Sequence, residues 1–148
     1  LTYNSAENFS LTIVGAGVGS TILDGGNTTQ ILNMLTTGPD ADITVRNITF
    51  RNGRATEFGG GLQVEVSSAT VIVEDAEFTG NAAIGTPGVT GIGGGVSAGC
   101  DDGTVTLRNS TFSNNSATNV GGGAALWAAC CPAQRCDKRC LSDGRSAH

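Results

Sequence analysis

The chain has 148 residues, including 23 glycines, 5 cysteines and 1 histidine, a length that argues for one domain or a piece of a larger one. Its net charge of −5 leaves little basic surface for nucleic acid or an anionic membrane, so polynucleotide binding is set aside as a function class. Hydrophobic residues make up 39%, but no run approaches the roughly 20 apolar residues of a membrane-spanning helix. Because the sequence begins at Leu1 without an export signal, we expect a piece of a longer precursor.

In chain order, a degenerate first repeat comes first, with short apolar segments at residues 11–15, 21–25 and 30–32. Residues 15–20 are glycine-rich, as in a dinucleotide-binding loop, but no helical pattern follows them. We interpret this stretch as a turn between strands.

The central part of the chain repeats itself. Eight-residue segments at 43–50, 71–78 and 105–112 superpose without gaps. Each is followed by a glycine triplet and an apolar residue. The triplet elements occupy residues 59–62, 93–96 and 121–124. The period is about 28 residues, lengthened by six residues between Phe78 and Gly93, and we expect a second insertion between Gly95 and Val105.

Short apolar alternations separated by polar or glycine turns predict strands rather than helices. A path of three short strands that returns to its start one strand spacing higher is a right-handed parallel β-helix, with coils stacked about 4.8 Å apart. We therefore predict an all-β solenoid of about four coils over residues 1–129. No polar cap is visible at its ends, so we expect self-association through open β-helix ends.

The ungapped repeats place equivalent residues directly above one another in three columns. An aromatic column should stack inside the coil. A polar column should lie at a bend, where side-chain amides bond to each other and to the turn backbone. A column of alternating charge should lie outside. These columns are Phe50, Phe78 and Phe112; Asn47, Asp75 and Asn109; and Arg46, Glu74 and Arg108.

Two four-residue motifs, Phe-Thr-Gly-Asn at 78–81 and Phe-Ser-Asn-Asn at 112–115, read F-x-x-N and pair with a nearby Gly-Gly-apolar element. This pairing, over about residues 40–126, resembles the repeats of polymorphic outer membrane proteins, the chlamydial-type surface autotransporters. The sequence departs from the pattern at 50–53, where Asn comes one place early. The resemblance implies a secreted β-helical passenger at the cell surface or outer membrane, with a role in adhesion.

The first repeat is also similar to the opening coil of pectin-active enzymes of the pectate-lyase-like fold group, which implies a shared fold without shared chemistry. Hydrolases on such a fold need carboxylates that converge on one bond. The weak catalytic candidates are Asp101 and Asp102, with Glu65 or Gln63 from the preceding coil. An Asp-Asp-Gly turn is the simpler interpretation of this segment. We predict no cofactor and no metal, with calcium as a minor possibility.

Residues 130–148 form a cysteine-rich, non-repetitive tail. Its four cysteines predict two disulfides in an oxidising compartment, leaving Cys100 as the odd thiol. Three alternatives stay open: zinc binding, a disordered tail, or residues that are not the natural continuation of the repeat. The zinc ligands would be Cys131, Cys136, Cys140 and His148.

Together these features predict a secreted or surface-displayed scaffold that binds a host glycan or protein and is not itself an enzyme. The alternative is a fragment of a carbohydrate-active enzyme, either a polysaccharide lyase, a hydrolase or an epimerase. Converging carboxylates in a groove would favour the enzyme, and regular ladders alone would favour the scaffold.

Overall fold

The computed structural model describes residues 1–128 and 141–142, and every regular element in them is a β-strand. No helix in this part is long and apolar enough to cross a membrane. The strands are β1 (Thr2–Ser5), β2 (Leu11–Val14), β3 (Ile22–Asp24), β4 (Leu32–Thr36), β5 (Ile43–Arg46), β6 (Thr49–Arg51), β7 (Arg54–Ala55), β8 (Leu62–Val66), β9 (Thr70–Glu74), β10 (Glu77–Thr79), β11 (Ala82–Ala83), β12 (Val96–Cys100), β13 (Thr104–Arg108), β14 (Thr111–Ser113), β15 (Ser116–Ala117), β16 (Ala124–Ala128) and β17 (Leu141–Ser142).

These strands pair in parallel to form four sheets, and each sheet stacks the equivalent strands of successive coils. Sheet 1 has the order β1-β4-β8-β12-β16, sheet 2 β2-β5-β9-β13-β17, sheet 3 β3-β6-β10-β14 and sheet 4 β7-β11-β15. The chain passes through the sheets in turn and returns one strand higher, which makes a parallel β-solenoid of about four turns and confirms the predicted fold class.

The prediction of three strands per coil was wrong, because the later coils have four strands. The extra strand is the two-residue element of sheet 4, represented by Arg54–Ala55, Ala82–Ala83 and Ser116–Ala117. Two-residue strands with partly polar sequences give no detectable alternation. Only their pairing with equivalent residues in the next coil defines them.

The six-residue insertion is confirmed, and it lies between β11 and β12 at residues 85–90. The second insertion expected between Gly95 and Val105 is wrong. Val66 pairs with Cys100 and Thr70 pairs with Thr104, so both turns between these strands have the same length. A conserved turn length keeps sheets 1 and 2 in register across the two coils.

The aromatic column lies in the interior, as the repeats predict. Phe50 and Phe78 stack with ring centroids 4.9 Å apart, and Phe78 and Phe112 follow at 5.0 Å, with 5° between the planes in both pairs. The rings of Phe50 and Phe78 are fully buried. Inward-facing aliphatic side chains from sheets 1 and 2 complete the core around them.

The column of Asn47, Asp75 and Asn109 lies at the bend between sheets 2 and 3, but its role differs from the expected side-chain ladder. All three backbones are left-handed, with φ of 60°, 49° and 48°. The hydrogen bonds here run through the backbone, from the Asn47 amide to Glu74 and from the Asp75 amide to Arg108. Asn and Asp tolerate this conformation better than other non-glycine residues, which explains their recurrence at the bend.

The side-chain ladder is made instead by Asn81 and Asn115, the last residues of the two F-x-x-N motifs. Asn81 Nδ2 donates to the Asn115 Oδ1 at 3.0 Å and to the Phe50 carbonyl at 3.0 Å, while Asn81 Oδ1 accepts from the Gly53 amide at 2.8 Å. Asn115 repeats the pattern one coil higher, donating to the Phe78 carbonyl at 2.8 Å. Asparagine at this place therefore closes the backbone bend before sheet 4.

The charged column alternates in sign on the outer surface. Glu74 forms ion pairs with Arg46 on one side, at 3.9 Å, and with Arg108 on the other. Arg108 Nε also donates to Glu74 at 2.6 Å. Elsewhere on the surface, the Gly26 amide, with Arg51 and Asn52, holds the pKa of Asp24 below its usual value.

The predictions for the cysteine-rich tail lie outside the described residues. Of this segment the structure describes only β17, which pairs in parallel with Thr106 and Leu107 of β13. The disulfide and zinc alternatives for the tail therefore stay predictions. Cys100 is buried at the end of β12.

Candidate functional site

The outer face of sheet 1 carries amide side chains and one large aromatic side chain. Along each strand, alternate residues face outward and stack into two columns. One column contains Thr2, Asn33, Gln63, Ser97 and Ala125, and the other contains Asn4, Leu35, Glu65, Gly99 and Trp127. The single tryptophan of the chain lies in this face.

Trp127 lies flat against the neighbouring coil at Gly99. A side chain at position 99 would collide with the indole ring, because a Cβ atom placed there meets Nε1, Cε2 and Cδ1 of Trp127. Because Gly99 has no side chain, the indole ring packs directly against the backbone of β12. The indole also contacts the ring of Phe58, with centroids 5.9 Å apart and planes inclined by 48°.

Phe58 is held in place by an amide cluster at the edge of the sheet. Gln30 Nε2 donates to the Phe58 carbonyl at 2.6 Å, the Gly59 carbonyl at 3.0 Å and the Gln63 Oε1 at 3.2 Å. These contacts join two coils and position the aromatic pair from below. The two rings thus form a supported platform on the outer face.

The platform continues into an apolar corner made by Phe58, Ile92 and Val120. These residues pair as parallel bridges between successive coils, just before the glycine triplets. The first glycine of each triplet is left-handed, and any side chain there would collide with the carbonyl three residues later. Val120 is 51% exposed, so the corner presents apolar surface to solvent.

The six-residue insertion stands next to this corner as a small closed loop. Thr86 and Val89 exchange backbone hydrogen bonds at 2.9 and 2.8 Å, with Pro87 and a left-handed Gly88 between them, the arrangement of a type II turn. Beneath the loop is an open cavity of about 330 Å³. It is lined by Ile84, Gly85, Thr86, Pro87, Val89 and Thr118.

The acidic candidates from the sequence lie on two successive coils. Glu65 is exposed on the outer face of sheet 1, beside Gly99 in the register of β8 and β12. Asp101 and Asp102 are exposed in the turn after β12, where their amides donate to Ser67 at 3.0 and 2.8 Å. In the part of the chain that the structure describes, no three acidic, cysteine or histidine side chains come together as a metal site.

Sequence reasoning missed Trp127 and Phe58 as site residues. The signal available was a glycine at 99 in the strand position where the repeats otherwise place Leu35, Glu65 and Trp127. A glycine in a strand indicates a close approach by another group. Only the fold shows that the group approaching Gly99 is the indole of Trp127.

Comparisons of this chain with protein-family models, with curated proteins and with solved structures find no match. The described residues form a parallel β-solenoid scaffold with an aromatic platform on the outer face of sheet 1.

Proposed function

We propose that this solenoid is a non-catalytic scaffold that binds a surface partner, a glycan or a protein, through the outer face of sheet 1. The resemblance of its F-x-x-N and Gly-Gly-apolar elements to polymorphic outer membrane protein repeats supports a secreted or surface-displayed setting and a role in adhesion. The observation that carries the proposal is the indole of Trp127 seated on Gly99 beside Phe58. Tryptophan is among the residues most enriched in binding hot spots, because it offers a large rigid surface with one polar group.

The polar groups around the platform suit recognition rather than bond cleavage. Gln63, Glu65 and Asn33 can orient a ligand by hydrogen bonds. Hydrolysis needs two carboxylates on either side of one bond, about 5–9.5 Å apart. Glu65 lies on β8, whereas Asp101 lies in the turn after β12, one coil later.

The test is binding to a glycan array and to intact cells, with Trp127→Ala as the variant. Retention should fall at least about tenfold, since a hot-spot aromatic contributes about 2 kcal/mol or more. Phe9→Ala is the matched control, because Phe9 is 71% exposed but lies between β1 and β2, away from sheet 1's aromatic pair.

Unchanged retention of the Trp127→Ala variant would contradict a binding role for this face. An assay of pectin, polygalacturonate and alginate for new reducing ends and unsaturated products runs alongside. Turnover that Asp101→Asn or Glu65→Gln abolishes would instead identify an enzyme.

A further inference from the structure

We infer that the partner of the sheet 1 platform is an uncharged glycan chain, and that the loop carrying the insertion at residues 85–90 provides a second contact area that binds more of the same chain. This inference rests on the proposed function and names its ligand class. Three observations support the inference. The platform and the loop form one continuous surface, the described side chains of both areas include no lysine or arginine, and the loop is held by its own hydrogen bonds.

Continuity comes from the bridge column at the apolar corner. Ile92 lies two residues after the insertion and pairs with Phe58 on one side and Val120 on the other. Phe58 touches Trp127. A ligand on the indole can therefore extend along this column to the insertion without leaving the surface of the described residues.

Charge selects the class of glycan. The outward-facing residues of sheet 1 include one carboxylate, Glu65, and no lysine or arginine among the described residues. The lining of the cavity beneath the insertion has no charged side chain. On the described part of these two areas, a polyanion such as polygalacturonate would find no cation to pair with and would be repelled by Glu65.

The cavity also offers a hydrogen-bond donor. Thr118 Oγ1 accepts from the Gly91 amide at 3.1 Å, and its hydroxyl proton has no acceptor among the described residues. Because Thr118 is exposed, this hydroxyl is free to donate to a ligand oxygen such as a sugar hydroxyl. Ile84 and Val89 supply apolar surface for the carbon face of the sugar.

Rigidity makes the loop suited to binding. The mutual hydrogen bonds of Thr86 and Val89 close its tip, and Asn119 donates to the Gly91 carbonyl at 3.0 Å to anchor its base. Pro87 restricts the backbone further. A preorganised loop loses little conformational entropy when it binds a ligand.

The experiment deletes residues 85–90 from the full chain. This joins Ile84 to Gly91 and restores the short connection that the next coil makes with Thr118 and Asn119. The amides of Ile84 and Thr118 make equivalent bonds to the coil below, to the Ala55 and Ala83 carbonyls. The deletion should leave the solenoid intact, which circular dichroism and the denaturation midpoint check. Val89→Ser keeps the loop length and removes only apolar surface, so it serves as a second variant if the deletion does not fold.

The probes are cello-, xylo- and manno-oligosaccharides of increasing length, with oligogalacturonides as the charged comparison. Because the chain has one tryptophan, its emission reports directly on the platform. Affinity for the best uncharged series should rise about tenfold when the ligand becomes long enough to reach the second area. The deletion should remove this gain and leave the affinity for the shortest binding oligosaccharide unchanged.

A length gain that survives both the deletion and Val89→Ser would overturn the second contact area, while loss of binding in Trp127→Ala would still support the platform. Tighter binding of oligogalacturonides than of uncharged chains would overturn the ligand class. Absence of binding to every saccharide, with capture of a surface protein through Trp127, would overturn the glycan inference and keep the proposed binding face.

Discussion

Phe78 is the middle ring of the aromatic column and packs against a ring on each side. Its neighbours Phe50 and Phe112 lie nearly parallel to it at 4.9 and 5.0 Å. Parallel pairing puts the same residue at the same place in every coil, so the column follows directly from the repeat. Removing the ring of Phe78 therefore removes ring contacts on both sides.

Phe78→Ala should lower the free energy of unfolding by about 3–5 kcal/mol, because it removes a buried ring and leaves a cavity. Phe112→Ala is the matched comparison, since the same side chain is only half-buried in the last coil, and its cost should be roughly half as large. Urea denaturation monitored by circular dichroism measures both. Equal costs would contradict the argument that the deeper burial of Phe78 makes its ring the more important one.

Thr36 is a buried polar residue in the apolar interior of sheet 1. It is 1% exposed, and its Oγ1 has no hydrogen-bond partner among the described residues. It pairs in register with Val66, which is apolar at the same inward position. A buried hydroxyl without a partner costs stability.

Thr36→Val should therefore raise the free energy of unfolding by about 1–3 kcal/mol, because valine keeps the shape and removes the unsatisfied group. Thr44→Val provides the control, since Thr44 is half-exposed on sheet 2 and should change stability by no more than about 0.5 kcal/mol. Denaturation midpoints at constant slope give the comparison. A destabilised Thr36→Val protein would mean that this hydroxyl is satisfied in solution.

At the scale of elements, the asparagine ladder joins the ends of sheet 3 to sheet 4. Asn81 is fully buried and satisfies the Gly53 amide and the Phe50 carbonyl of the coil below. The early asparagine in the first repeat has a separate cause. Asn52 occupies the left-handed position, which Gly80 and Asn114 occupy in later coils, and Gly53 takes the place of the ladder residue.

Asn81→Ala should cost about 2–5 kcal/mol, since two buried backbone groups lose their partners. Asn114→Gly is the control, because Asn114 is exposed and left-handed, a conformation that glycine adopts freely, and stability should stay within about 0.5 kcal/mol of the parent. Hydrogen exchange should also show faster exchange of the Gly53 amide in Asn81→Ala. Retained protection of that amide would contradict the ladder.

At the scale of the whole molecule, stacking leaves strand edges at both ends of the described solenoid. β14 and β15 each have one strand neighbour among the described residues. Unpaired edges of this kind recruit strands from other chains. The exposed apolar side chains Leu1, Phe9, Val14, Val18 and Ile22 lie at the opposite end, in the first coil and its approach.

We expect the isolated 148-residue chain to self-associate at concentrations on the order of tens of micromolar, the range in which exposed edges promote aggregation. Ala117→Pro should reduce association. The amides of Ser116 and Thr118 both point to the coil below, so the alternate amide at Ala117 faces the free edge and its loss leaves the fold intact. Sedimentation velocity measures the effect, and a monomeric parent chain would contradict the role of these edges.

The sequence by itself determined the parallel solenoid, the aromatic and charged columns and the position of the insertion, because one-to-one stacking turns a repeat in sequence into a column in space. Only the tertiary structure decided which asparagine turns inward. Asn47 and Asn81 both sit at bends in the repeat, and the backbone conformation of each bend, not its composition, separates a left-handed residue from a ladder residue. The binding platform likewise depends on tertiary structure, since Phe58 and Trp127 belong to different coils and meet only because Gly99 lets the indole lie across the strand between them.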